Sequence, residues 1–184
     1  EDAQLHFDLG EVHLRKGNYA LAERYSRRAV ELDPNYNYAR HNLAVAYFHQ
    51  SRYKEGEREA LATSAQNPNR SDTQVLLGQI YFEMNKSDRA ATYLQRALAT
   101  DPESVKAHYY YARLLYRQER YQSAADHFAL VVPSLPDDFW LHYQLGRALH
   151  QAGHTDAALH RYQQALAIDR RAEVLVAIGA LHLL

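Results

Sequence analysis

Eleven histidines and a series of arginines interleaved with tyrosines are the side chains of this chain that could do chemistry. His150 and His154 stand four apart, the spacing of metal ligands on neighbouring helical turns. Gly153 separates them at an expected helix end, however, and no third ligand accompanies them, so no metal is expected. His6, His108 and His142 recur at multiples of 34 residues and read as parts of a structural pattern. The chain has no cysteine, which removes disulfides and thiolate sites. There is no glycine-rich phosphate loop, nucleophile elbow or carboxylate pair on facing segments. Neither an enzyme nor a bound cofactor is expected. Recognition chemistry remains: Arg113 and Arg147, also 34 apart, can make bidentate pairs with carboxylates beside aromatic faces.

The elements that must position these residues follow from that same period. A small residue returns every 34 positions as Gly10, Ala44, Gly78, Ala112 and Gly146, and Pro34, Pro68, Pro102 and Pro136 keep step with it. A fixed period of this length marks one supersecondary unit whose apolar face is covered only when a neighbour stacks on it. In register the units are residues 3–36, 37–70, 71–104, 105–138 and 139–172, followed by a terminal helix over 173–184, the whole chain 1–184 forming a single domain. Each unit holds two helical patterns separated by Gly17, Ser51, Asn85, Glu119 or Gly153 and closed by a proline. Glycine and asparagine suit the left-handed residue that ends a helix, and proline cannot continue one.

The chain resembles a tetratricopeptide-repeat array. The family pattern of Leu then a small residue at positions 7 and 8 reads Leu9-Gly10, Leu43-Ala44, Leu77-Gly78, Tyr111-Ala112 and Leu145-Gly146. Position 20 reads Ala22, Gly56, Ala90, Ala124 and Ala158, and position 27 reads Ala29, Thr63, Ala97, Val131 and Ala165. The resemblance implies an all-α fold, a right-handed α-solenoid of antiparallel helix pairs, that acts as a non-enzymatic protein-interaction scaffold or adaptor. It leaves one alternative, the substrate-recognition arm of a larger enzyme such as a glycosyltransferase or sulfotransferase. Two departures stand out. The second helix of repeat two carries Gly56, Ala60, Thr63 and Ser64, which predicts a soft joint, and Pro133 should end the second helix of repeat four about a turn early.

At 100° per residue, positions 4, 7, 8 and 11 of each first helix share a packing arc of about 100°. Positions 2, 5, 9, 12 and 13 form a second arc, which in the resembled family lines the concave, ligand-holding groove. Here it is aromatic: Phe7; Tyr38, His41 and Phe48; Phe82; Tyr109 and Tyr116; Trp140, Tyr143 and His150. Tyrosine and tryptophan offer large contact area with a polar tip and few rotors. The expected groove residues are Tyr38, His41, Phe82, Lys106, Tyr109, Arg113, Arg117, Trp140, Tyr143 and Arg147.

Charge on this arc changes sign. Repeats one to three supply Glu11, Asp72 and Glu83 against Arg15, a net of -2, whereas repeats four and five supply Lys106, Arg113, Arg117 and Arg147, a net of +4. The expected partner is therefore a protein or peptide segment, acidic or carboxylate-ended where it meets the second half. The carboxylate clamp of the family's co-chaperones is absent, since Asn42 and Lys106 stand two repeats apart and Tyr110 replaces the needed cation. With 21 Lys and Arg against 22 Asp and Glu, the cluster of Arg24, Arg27 and Arg28 does not make a nucleic-acid-binding protein.

No segment reaches the roughly 18 apolar residues of a membrane span. Lack of cysteine suits the cytoplasm and the periplasm alike, and a start at Glu1 leaves room for an upstream signal or anchor. Residues 174–184 are apolar almost all round, with Ile178-Gly179 repeating positions 7 and 8 at a spacing of 33 from Gly146. This reads as the first helix of a further repeat, and its exposed side predicts a homodimer through the C-terminal helix.

Overall fold

The computed structural model describes residues 2–181, and every regular element among them is helical. The helices are α1 (Ala3–Arg15), α2 (Tyr19–Leu32), α3 (Asn37–His49), α4 (Tyr53–Gln66), α5 (Ser71–Glu83), α6 (Ser87–Thr100), α7 (Val105–Arg117), α8 (Tyr121–Val131), α9 (Phe139–Gln151), α10 (Thr155–Ile168) and α11 (Ala172–Leu181). From α1 to α9 the first helices begin 34 residues apart, and so do the second helices from α2 to α10. Connections this short make each pair antiparallel.

The period is set by backbone chemistry at one position. Gly17, Ser51, Asn85, Glu119 and Gly153 have φ of 72°, 59°, 57°, 60° and 85°. Each closes its first helix with the same two bonds. In repeat two the N–H of Ser51 donates to the carbonyl of Phe48 and that of Arg52 to the carbonyl of Tyr47, both at 2.9 Å. The left-handed residue turns the chain so that two otherwise orphaned carbonyls are satisfied. Ser51 and Glu119 hold this conformation without glycine's freedom, at a local cost.

Proline acts as expected in repeat four. Pro133 lies in a short 3-10 turn, Val132–Ser134, and α8 stops after 11 residues where the other second helices run for 14. The weakly apolar α4 is complete. Its Gly56 marks a close approach, because a Cβ there would stand 3.3 Å from both the Ala44 carbonyl oxygen and Ile80 Cδ1.

The chain divides into two compact units, residues 1–102 and 103–184. In the first, helix pairs are locked across repeats by acids on the second helices. Glu23 on α2 accepts from Arg52 Nη1 at 2.8 Å, and Glu57 on α4 lies 3.6 Å from Lys86 Nζ, so the same register position is used twice. Burial and the Glu57 carboxylate push the neighbouring Tyr81 hydroxyl up to about 12. In the second unit α9, α10 and α11 share a core of Phe139, Ala158, Tyr162, Ala165, Val174 and Leu181. α11 begins 33 residues after α9, as the spacing of Gly179 from Gly146 requires. The last three positions of the expected terminal helix, His182, Leu183 and Leu184, lie outside the described residues. No described helix is long and apolar enough to cross a membrane.

Candidate interaction surface

The fourth residue of the first helix shows why the recurring histidines are structural. His142 is buried with Nε2 2.8 Å from the Pro136 carbonyl oxygen. Arg40 donates to Pro34 O at 2.8 Å and Gln74 to Pro68 O at 2.7 Å, so in repeats two, three and five this position ties the first helix to the proline that closes the preceding repeat. Opposite that position, on the second helix, the partner changes with the repeat. His6 stacks on Tyr25, Arg40 pairs with Glu59 at 2.9 Å, and His108 Nδ1 lies 2.8 Å from His127 Nδ1. His154 Nε2 meets Gln122 Oε1 at 2.6 Å. Among the described residues no three His, Cys, Asp or Glu side chains are grouped to hold a metal.

In residues 1–102 the inner arc is largely satisfied internally. Tyr38 is 59 % exposed, but Arg70 places its guanidinium carbon 4.4 Å from the ring centroid, and the ring edge meets Phe7. Arg70 is itself fixed by Asp72, with Nε and Nη2 at 2.7 and 2.8 Å from the two carboxylate oxygens. His41 lies at 8 % exposure between α3 and α5, Nδ1 3.0 Å from Thr73 Oγ1 and Nε2 3.6 Å from Asp72 Oδ2. Burial opposes ionisation of Asp72, yet the Arg70 hydrogen bonds and the His41 charge hold its carboxyl below the usual value. Phe82 is 1 % exposed. His41 and Phe82 thus serve the packing between helices and offer a partner almost no surface, in contrast to their expected place in the groove.

The expected acidity of this half is also reduced by pairing. Arg15 donates to Glu11 on the same helix, and Asp72 is engaged by Arg70, which follows α4 and lies outside the arc of first-helix residues. Arg15 already stands in the net of -2, and adding Arg70 brings it to -1.

Residues 103–184 present a different surface. Tyr109 is half-buried, its ring edge-on to Phe128 and its hydroxyl accepting from Gln144 Nε2 at 2.9 Å. Arg113 lies over the rings of Tyr109 and Tyr110, 5.8 and 5.2 Å from their centroids. Arg147 on α9 lies 4.9 Å from the Tyr116 centroid on α7 and 5.8 Å from that of Tyr143. Its positive charge opposes the rise that burial imposes on the Tyr162 hydroxyl. Trp140 is 45 % exposed and meets Tyr143 edge to face, while Arg171 lies 5.0 Å from the Trp140 centroid and 4.5 Å from that of Phe139. Arg171 is held in turn by Asp169 at 2.6 Å. Lys106, Arg117 and Arg147 are exposed. Among the described residues no carboxylate lies within ion-pair distance of Arg147.

The structure thus forms two clusters over α7 and α9: Arg113 over Tyr109 and Tyr110, and Arg147 between Tyr116 and Tyr143, with Trp140 edge-on to Tyr143. Such contacts fix the plane of a guanidinium and leave its edge donors outward. Arg70 and Arg171 were not visible as part of this pattern from the helical arcs. Each immediately precedes a first helix and covers the aromatic residue at the second position of the first helix before it, Tyr38 or Trp140.

The sequence matches the tetratricopeptide repeat family over residues 7–71 and 75–139, and again over 141–174. No curated protein matches it significantly. Among solved structures, the crystal structure of MamA protein aligns with TM-score 0.74 at 18 % identity, over 91 % of this chain and 91 % of that one. TTC0263, a thermophilic TPR protein of Thermus thermophilus, aligns with TM-score 0.74 at 18 % identity over 100 % of both chains. YrrB, titled a TPR protein with an unusual peptide-binding site, gives TM-score 0.74 at 19 % identity over 97 % of this chain and 92 % of its own. At these identities the likeness concerns the fold.

Proposed function

Because the chain belongs to the tetratricopeptide repeat family, we propose that it is a non-enzymatic scaffold that captures a segment of a partner protein. The capture surface is the inner arc of α7 and α9, and the segment it takes is acidic or carboxylate-ended. One observation carries this reading. Arg147 is exposed, oriented by Tyr116 and Tyr143, and has no carboxylate of its own among the described residues. A guanidinium held in this way gains a bidentate, charge-assisted pair from a partner's carboxylate without first losing an internal one. Tyr143 and the exposed Trp140 add apolar contact beside it. A peptide-binding site in a structure of the same fold is consistent with such a role.

The test is fluorescence anisotropy with labelled peptides of equal length, one alternating Glu and Ala, one Lys and Ala, and one Ser and Ala. The Glu peptide should bind most tightly, and its affinity should fall with salt. Replacing Arg113 and Arg147 together by Ala should weaken that binding and flatten its salt dependence. Equal affinity for all three peptides, or an unchanged salt slope in the double variant, defeats the proposal.

A further inference from the structure

Gly179 on α11 is the counterpart of three glycines that lie in tight contacts, yet none of the described residues packs against it. A Cβ at Gly10, Gly78 or Gly146 would fall 2.7 Å from Ser26 Oγ, 2.6 Å from Leu94 Cγ or 2.7 Å from Tyr162 Cδ1. In each case the absent side chain leaves a notch, and residue 24 of the same repeat, on the antiparallel second helix, fills it. At Gly179, among the described residues and apart from its own helix backbone, no heavy atom comes within 4 Å of such a Cβ. The opposite side of α11 is seated as in the other first helices, with Val174 and Leu181 buried in the core beside Phe139 and Tyr162. The side carrying the notch is apolar and uncovered: Leu175 is 58 % and Val176 73 % exposed.

We propose that this face is a contact between two copies of the chain, in which the α11 helices pair antiparallel about a twofold axis. The notch takes a side chain from an antiparallel helix, as Ser26, Leu94 and Tyr162 show within their own repeats, and the exposed Leu175 and Val176 beside it on α11 favour an apolar one. α11 carries such a residue itself. Leu175 lies one turn before Gly179 on the same helical face, so a twofold axis near residue 177 sets each Leu175 into the partner's Gly179 notch. One symmetry operation fills both notches and covers both exposed stripes, the condition for an isologous interface. The contact continues the packing of first helix on second helix that closes each earlier repeat.

Sedimentation equilibrium on the 184-residue chain across a range of concentrations tests this. The mass should rise with concentration towards that of a dimer. Gly179→Leu separates notch docking from general stickiness, because it adds apolar surface while filling the notch. Docking predicts a dissociation constant raised by roughly tenfold or more, whereas stickiness predicts tighter association. Leu175→Glu, or Val176→Glu as a second variant at a still more exposed site, should give a monomer with unchanged helical content by circular dichroism. A mass equal to one chain at every concentration, or tighter association of Gly179→Leu, overturns the proposal.

Discussion

The guanidinium of Arg147 on α9 lies 4.9 Å from the centroid of Tyr116 on α7, so the cation at the centre of the candidate surface is oriented by the repeat before its own. The contact makes recognition depend on how α7 and α9 are packed as well as on which residues are exposed. Tyr116→Leu leaves every charge in place but removes the nearer of the two rings that hold this guanidinium. It should weaken binding of the Glu-Ala peptide by a few-fold, on the order of one cation–π contact. Arg147→Ala should cost roughly tenfold. Arg147→Lys keeps the charge without the planar fork and should fall between the two extremes while preserving the salt dependence. Peptide titrations at two salt concentrations separate these effects.

The pairing of Arg40 with Glu59 gives a stability prediction in the other unit. Arg40 Nη1 lies 2.9 Å from Glu59 Oε2, and the Glu59 side chain retains only 9 % of its exposure. Arg40→Leu strips the acid of its better-buried partner, although Arg58 Nε remains at 3.0 Å. The single variant should lose about 2 kcal/mol, while Arg40→Leu with Glu59→Leu should return to within about 1 kcal/mol of the parent. Urea unfolding of the three proteins measures both differences. A double variant as unstable as the single would show that the position needs the ion pair and not merely a matched pair of side chains.

The helix boundaries were legible because they depend on local backbone chemistry. Gly17 and Gly153 mark their turns by residue type, whereas Ser51 and Glu119 do so only through the 34-residue register that places them at the same left-handed position. The surface was legible only in part. Tyr109, Arg113, Trp140, Tyr143 and Arg147 share the arc predicted for them, since helical periodicity fixes direction. Direction does not fix exposure, however, and Phe82 on the same arc is buried. The charge count suffered similarly. Asp72 is engaged by Arg70 from the preceding loop, and a count restricted to first helices does not include the loop residue that neutralises it.

The two helix ends closed by Ser51 and Glu119 store strain that glycine would relieve. Their φ values of 59° and 60° match the conformation that Gly17 and Gly153 adopt at the same position. Ser51→Gly and Glu119→Gly should each stabilise the fold by about 1 kcal/mol. The same exchange at an ordinary helical position costs a similar amount, so Ala62→Gly, within the exposed-to-intermediate part of α4, is the control of opposite sign. Melting temperatures of the three variants against the parent give the comparison.

The His108 and His127 rings face each other with Nδ1 atoms 2.8 Å apart, so one nitrogen donates and the other must accept. Protonating both rings removes the acceptor and sets two cations in contact. Burial first, and the His108 charge second, hold His127 below its ordinary value, with Arg120 in the same sense and Asp126 opposing. Between that lowered value and about 6.5, the unfolded chain binds the proton more readily than the folded one. The contribution of His127 to stability is therefore complete above about pH 6.5 and is lost as pH falls through the folded-state value. Tyr111 lies edge-on to His127 at 4.9 Å, and the equivalent position is a tyrosine at Tyr25 and Tyr93, so an aromatic replacement fits the site. The melting temperature of the parent should drop between pH 7.5 and pH 5.5, a range of about two units around the histidine value. His127→Phe should show a smaller drop over the same interval, and an equal drop would place the pH dependence in other groups.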